Sequence, residues 1–98
     1  GDAAVRLRMR LAAYRGNPVW SVYLRERDND TWLLGRGRFA ELPRSWREFR
    51  LPITTDLENT HAGGDGEFDA SQVTKLYIDA WGDAVTFFVD DVIVLNSR

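Results

Sequence analysis

Apolar and polar residues alternate at every second position along much of this chain. Val5, Leu7, Met9 and Leu11 alternate with Arg6, Arg8 and Arg10, the pattern of a strand with one buried face. Asn17-Pro18 marks a turn. Val19 to Arg27 reads as a second strand, closed by the polar tip Asp28-Asn29-Asp30. Thr31 to Phe39 is a third, where Gly35 and Gly37 either weaken the strand or mark a bulge. Pro43 breaks the chain ahead of a fourth strand, Trp46 to Ile53, with Phe49, Leu51 and Ile53 opposed to Trp46, Glu48 and Arg50. Val73 to Trp81 forms a fifth, and Gly82-Asp83 turns it into a sixth, Val85 to Leu95. No stretch keeps a 3.6-residue apolar period for three turns, so the expected fold is all-β with no helix longer than two turns. Thr54 to Gln72 is an acidic loop holding Gly63, Gly64 and Gly66. A loop of that length in a small domain is usually functional or mobile.

Short strands separated by turn signals predict a two-sheet antiparallel β-sandwich, of the jelly-roll kind. Sheets tend to exchange after long connections. The working assignment puts strands one, four and six in one sheet, and two, three and five in the other. The first sheet then turns Arg6, Arg8, Arg10, Glu48, Arg50 and Asp90 outward, a solvated face of opposite charges on neighbouring strands. The second carries Trp20, Tyr23, Trp32, Tyr77 and Trp81. Tyr23 shares parity with Arg25, Tyr77 with Asp79 and Trp81, and Trp32 with Arg36. Trp20 shares parity with Val22 and Leu24, which turns it to the core unless a bulge intervenes.

Composition narrows the function classes. With 98 residues, the chain is one domain, residues 1–98. A net charge of −2 argues against nucleic acid as the main partner. No run of eighteen apolar residues is present, so no membrane span is expected, and no leader of signal-peptide type opens the sequence. Without Cys there are no disulfides and no thiolate metal site, and His61 alone cannot supply a His-based metal site or a Ser-His-Asp triad. Asp90 and Asp91 are adjacent, so strand alternation turns them to opposite faces and denies them the facing geometry of a glycosidase pair. Gly35-Arg36-Gly37-Arg38-Phe39-Ala40 fits a loose dinucleotide fingerprint, but Leu42-Pro43 follows where a helix would have to start. Asn29-Asp30-Thr31 fits a glycosylation acceptor and reads more simply as a hairpin tip. The loop acids Asp56, Glu58, Asp65, Glu67 and Asp69 offer oxygen ligands suited to calcium, against the alternative of a solvated loop. Arg6, Arg8 and Arg10 suit either an acidic polymer or a charged sheet face, and the net charge favours the face.

Four Trp, three Tyr and five Phe are more rings than so small a core requires. Trp and Tyr stack on the apolar C–H faces of sugars while neighbouring polar groups bond the hydroxyls. The expected site is the outer face of the second sheet. Trp32 and Trp81 lead it, Tyr23, Tyr77 and Trp20 are further stacking candidates, and Arg25, Arg36 and Asp79 would hydrogen-bond. The other sheet is too heavily charged to serve as a stacking platform.

The last strand, Thr86-Phe87-Phe88-Val89-Asp90-Asp91-Val92-Ile93-Val94-Leu95, resembles the closing strand of the β-sandwich carbohydrate-binding modules appended to glycoside hydrolases such as endoglucanases. Trp46 to Ile53 resembles their mid-module strand that opens with Trp, and Val5 to Leu11 the strand that opens their central part. The order and rough spacing agree across most of the chain. The resemblance implies a non-catalytic, secreted module fused to a glycoside hydrolase. Its ligand would be a plant-type polysaccharide: cellulose chains, mixed-linked β-glucan, xyloglucan or xylan. It also implies a structural calcium held in part by Asp90 or Asp91. The chain departs from the pattern in being short: the usual N-terminal strands, which often supply other calcium ligands, are missing or cut away. The alternative function is a protein-interaction or structural β-sandwich of a larger extracellular protein, its aromatics mostly in the core.

Overall fold

Where alternation is clean, the chain is extended and paired. The computed structural model describes residues 3–95. Its strands are β1 (Ala4–Tyr14), β2 (Val19–Glu26), β3 (Thr31–Arg38), β4 (Arg47–Pro52), β5 (Glu58–His61), β6 (Val73–Trp81) and β7 (Val85–Leu95). The described helical residues form two single 3-10 turns, Phe39–Glu41 and Ala70–Gln72. The strands build two antiparallel sheets, β4-β1-β7 and β5-β3-β2-β6, so the protein is a two-sheet β-sandwich. The division of the six expected strands between sheets is the observed one. β5 is an addition: the expected loop contributes a short edge strand to the four-stranded sheet.

Of the register shifts in these ladders, two decide where the candidate residues point. In the β2–β3 ladder Val22 faces Gly35 while Tyr23 faces Leu33, so Leu34 is an extra residue. The bulge reverses parity along β3. Trp32 and Leu34 both turn inward, and Arg36 and Arg38 turn outward. The second irregularity lies in β7, between the pairs Arg6–Ile93 and Arg8–Asp90. Asp91 sits there at φ 53°, in the left-handed region that a non-glycine residue enters rarely.

The core lies between the central strands. Val5, Leu7, Met9 and Val22 are fully enclosed, and Phe39 of the first 3-10 turn joins them with its ring 4.6 Å from that of Phe87. Burial of each such side chain contributes about 1.5–3 kcal/mol. Gly37 faces inward beneath Trp20: a Cβ there would meet the indole at 2.7 Å. Glycine at this position therefore lets the Trp20 ring lie flat across β3, and the dinucleotide-like motif is explained by packing. On the edge strands β6 and β7 the inward residues Leu76, Ile78, Val85, Phe87 and Val89 are only partly covered.

Candidate functional site

The outer face of the four-stranded sheet is a set of rows fixed by register. Arg38, Val19 and Trp81 form one row across β3, β2 and β6; Arg36, Ser21 and Asp79 the next; Leu33, Tyr23 and Tyr77 the third; Thr31, Arg25 and Lys75 the fourth. The central strand carries small residues, Val19 and Ser21, in the first two rows, and long side chains flank them. The result is a trough of about 480 Å³ with Val19 and Ser21 on its floor, Trp81 on one wall, and Arg36 and Arg38 on the other. The walls stand on strands two ladder spacings apart, about 9–10 Å. Beyond Trp81 the face continues as a second hollow of about 420 Å³, lined by Tyr23, Arg25, Thr31, Thr60, Tyr77, Asp79 and Trp81. Trp81 is shared by both and is 57% exposed.

Within the second hollow the Arg25 guanidinium is held in place. Its Nη1 donates to the Tyr77 hydroxyl at 3.3 Å and its Nη2 to Asn29 Oδ1 at 3.1 Å. The bond from Arg25 holds the Tyr77 phenol below its ordinary value of 10.0, against the opposing effect of burial and with help from the Lys75 charge.

Six of the eight residues expected to bind are brought together on this face: Tyr23, Arg25, Arg36, Tyr77, Asp79 and Trp81. Trp20 and Trp32 are not. Both are 5% exposed and belong to the interior. Trp20 packs edge-on against Phe49 with centroids 5.4 Å apart, as its parity with Val22 and Leu24 required. Trp32 packs edge-on against Phe68 at 5.6 Å, because the Leu34 bulge cancels the parity it would otherwise share with Arg36.

An acidic cluster lies at the β2–β3 hairpin, and sequence reasoning missed it. Glu26, Asp28 and Asp30 each place a carboxylate oxygen within 4.8 Å of the others. Asp30, fully buried, accepts hydrogen bonds from Asn59 Nδ2 and from the backbone N–H groups of Gly63, Gly64 and Gly66. Burial pushes its carboxyl up, but these donors, led by Gly66 and Gly64, outweigh that and hold it below the ordinary value of 3.8. Glu26, also buried, accepts from Trp32 Nε1 at 2.5 Å and from Asp69 N–H at 3.2 Å. Asp28 accepts from the N–H groups of Asp30 and Asp65. A Cβ on Gly64 would fall 2.1 Å from the Asp28 carboxyl, so the approach of loop to hairpin depends on glycine. The three carboxylates thus clasp the 54–72 segment to the sheet. They also form an all-oxygen group that could hold a metal ion: Glu26 and Asp28 accept two hydrogen bonds each and keep acceptor capacity, whereas Asp30 already accepts four. One signal was available: Glu26 shares inward parity with Val22 and Leu24, and a carboxylate on a core face requires partners.

The three-stranded sheet presents a different outer face. Arg6 Nε lies 3.7 Å from Glu48, and Arg8 Nη1 3.1 Å from Asp91. The Arg10 guanidinium sits between two rings, 5.2 Å from the centre of Trp46 and 4.2 Å from that of Phe88. Asp90 and Asp91 are outside the Glu26 cluster. The bulge brings the Asp91 carboxylate to Arg8, the residue directly opposite Asp90, so the two acids share a face where simple alternation would separate them. Asp90 Oδ1 accepts from Asp91 N–H at 2.8 Å. Comparison with protein families, with characterised proteins and with solved structures yields no match, so the functional reading rests on this geometry.

Proposed function

We propose that this domain is a non-catalytic carbohydrate-binding module that takes a polysaccharide chain along the outer face of its four-stranded sheet. The observation that carries the reading is Trp81, 57% exposed between two hollows and followed along the same face by Tyr77 and Tyr23. A large ring left bare, with polar groups convergent around it, is the arrangement that stacks on a sugar and bonds its hydroxyls. Arg25, Asp79 and Arg36 supply those bonds. The ligand class is plant-type polysaccharide of the β-glucan or xylan kind, and the parent protein is a secreted glycoside hydrolase. Nucleic acid is disfavoured by the net charge of −2. Among the described residues no helix is long and apolar enough to cross a membrane.

The cation of this reading is calcium, held by Glu26, Asp28 and Asp30. Its chemistry there is structural: a hard cation draws together three carboxylates that already tie the loop to the hairpin. The test of the whole reading is a titration of soluble β-glucan and xylan oligosaccharides into the protein, followed by tryptophan fluorescence. A saturable change that Trp81→Ala abolishes supports the site. No change with any glycan overturns it. One observation favours a protein-interaction reading instead: Phe88, Val92, Ile93 and Val94 are exposed on the edge strand β7. Binding of no glycan, together with self-association that Ile93→Lys removes, would put that reading in its place.

A further inference from the structure

We infer that the glycan taken by the Trp81 trough is acidic, a polysaccharide whose uronic acid residues lay an apolar sugar face on Trp81 and direct a carboxylate to Arg36 and Arg38. This rests on the carbohydrate reading of the same face and deepens it: the face takes neutral chains and prefers those that carry uronic acid. Arg36 and Arg38 are exposed, and neither guanidinium has an ion pair, a hydrogen bond or a ring contact among the described residues. Their isolation is not a surplus of cations, because the chain as a whole is acidic at −2. On the opposite face Arg6 and Arg8 have carboxylate partners and Arg10 has two rings.

The surroundings of the two guanidinia select an anion. None of the six residues that line the trough is acidic. Asp79 stands in the Arg36 row with Ser21 between them, and among the described residues it makes no ion pair with either arginine. On its other side the Arg36–Arg38 wall borders a hollow of about 290 Å³, where Arg47 joins them and Glu41 is the only acid in the lining. Arg36 and Arg38 are two residues apart on one strand and on one face, their Cα atoms about 6.5–7 Å apart. A guanidinium presents parallel N–H groups that match a planar carboxylate. Trp81, across the trough, supplies the apolar wall that a simple anion does not use. A ligand that satisfies both walls has a pyranose face and a carboxylate in one residue, which is a uronic acid.

The experiment uses the full 98-residue chain. Affinities are measured by calorimetry for an oligogalacturonate, a neutral β-glucan oligosaccharide and dextran sulfate, at low and at high salt. Three proteins are compared: the parent, Trp81→Ala, and Arg36→Gln with Arg38→Gln. The melting temperature is taken for each, to establish that it is folded. The oligouronate is expected to bind at least about tenfold more tightly than the neutral glucan, with an affinity that falls as salt rises. The double substitution is expected to lower oligouronate affinity about tenfold or more and to lower neutral-glucan affinity, which loses only the Arg36 hydroxyl bond, by a smaller factor, so that the preference between the two sugars disappears. Equal affinity for both sugars in the parent, with both lost in Trp81→Ala, overturns the inference and leaves the carbohydrate reading standing. Binding of neither sugar overturns both. Dextran sulfate binding as tightly as the oligouronate, with Trp81→Ala having no effect on either, shows attraction by charge alone and also overturns the inference.

Discussion

On the three-stranded sheet Arg6 and Arg8 lie within 4 Å of Glu48 and Asp91, and Arg10 is stacked between Trp46 and Phe88. On the four-stranded sheet Arg36 and Arg38 face Trp81 across a trough with no acid in its lining. Residue types are similar on the two faces, and register decides the difference. The ladder β4-β1-β7 puts Glu48, Arg8 and Asp90 in one row, so opposite charges meet on adjacent strands. The ladder β3-β2-β6 interposes Val19 and Ser21 between the long side chains, and among the described residues no ion pair or ring contact joins the two walls. A face that satisfies itself is a wall of the fold. A face whose groups are held apart by small residues is available to a ligand. Exposure and composition alone would not separate the two.

The largest effect expected sharpens the contrast between buried and bare tryptophan. Trp32→Ala should destabilise the domain by about 3–5 kcal/mol, since it empties a core site beside Phe68 and leaves the buried Glu26 without the indole donor. In a domain of this size each kcal/mol lowers the melting temperature by about 4–8 °C. Trp81→Ala should change stability by no more than about 0.5 kcal/mol and should abolish glycan binding. Thermal denaturation and titration of the two variants side by side test this. Equal losses of stability would erase the distinction between the four-stranded face and the core beneath it.

Much of this arrangement was legible in the chain. Strand positions follow from strict alternation, as in Val5 to Leu11; the expected sheet membership is the observed one, although β1 passes to β2 and β6 to β7 of the other sheet through short turns rather than long connections. What stayed hidden depended on single extra residues or on polar contacts. Trp32 and Arg36 are four apart and would share a face in a regular strand; the Leu34 bulge divides them, and Gly35 and Gly37 were the local signs. β5 reads Glu-Asn-Thr-His, with no apolar alternation to announce a strand. It is held instead by bonds such as Thr60 Oγ1 to the Thr31 carbonyl and Asn59 Nδ2 to Asp30. The carboxylate clasp was read as a polar hairpin tip because its partners are backbone N–H groups more than thirty residues away, which no local pattern encodes.

Calcium should act on one side of the comparison. The Glu26, Asp28 and Asp30 group belongs to the β2–β3 hairpin and the segment that carries β5, so its ion would stabilise the four-stranded sheet. At a hundredfold excess over its dissociation constant a bound ion adds about 2.7 kcal/mol. Chelation should therefore lower the melting temperature by several degrees, and Asp28→Asn should remove the response. An unchanged melting temperature would mean that the clasp works through its hydrogen bonds alone. The contact between guanidinium and rings on the other sheet is smaller. Arg10→Ala gives up two cation–π contacts and should cost about 1 kcal/mol, whereas Arg36→Ala should be close to neutral for stability. Chemical denaturation of the pair measures the difference, and a greater loss for Arg36 would contradict the picture of an unengaged wall.

The smallest expected effect reports on the one guanidinium of the ligand face that already has partners. Arg25 Nη1 donates to the Tyr77 hydroxyl at 3.3 Å, a bond that strengthens as the phenol loses its proton, and Lys75 adds a favourable charge. Burial opposes them and is outweighed, so Tyr77 ionises below 10.0. In the unfolded chain the same phenol keeps its ordinary value. Between the two values the unfolded state therefore binds more protons, and stability rises with pH across that window. The contribution is fully present above 10.0 and is lost as pH falls through the folded value. An alkaline titration followed by tyrosinate absorbance, with Tyr77→Phe to assign the step, should find Tyr77 ionising below its ordinary value. Arg25→Gln should move that step upward, because it removes the largest favourable cause. The same substitution tests the binding face: a phenol and a guanidinium that hold each other in place present a fixed donor pair to a sugar, so Arg25→Gln should also weaken glycan binding. A Tyr77 step that Arg25→Gln leaves in place would mean that the two side chains are not joined in solution. The four-stranded face would then have no preset polar group, and its affinity would rest on Trp81 and the Arg36–Arg38 wall.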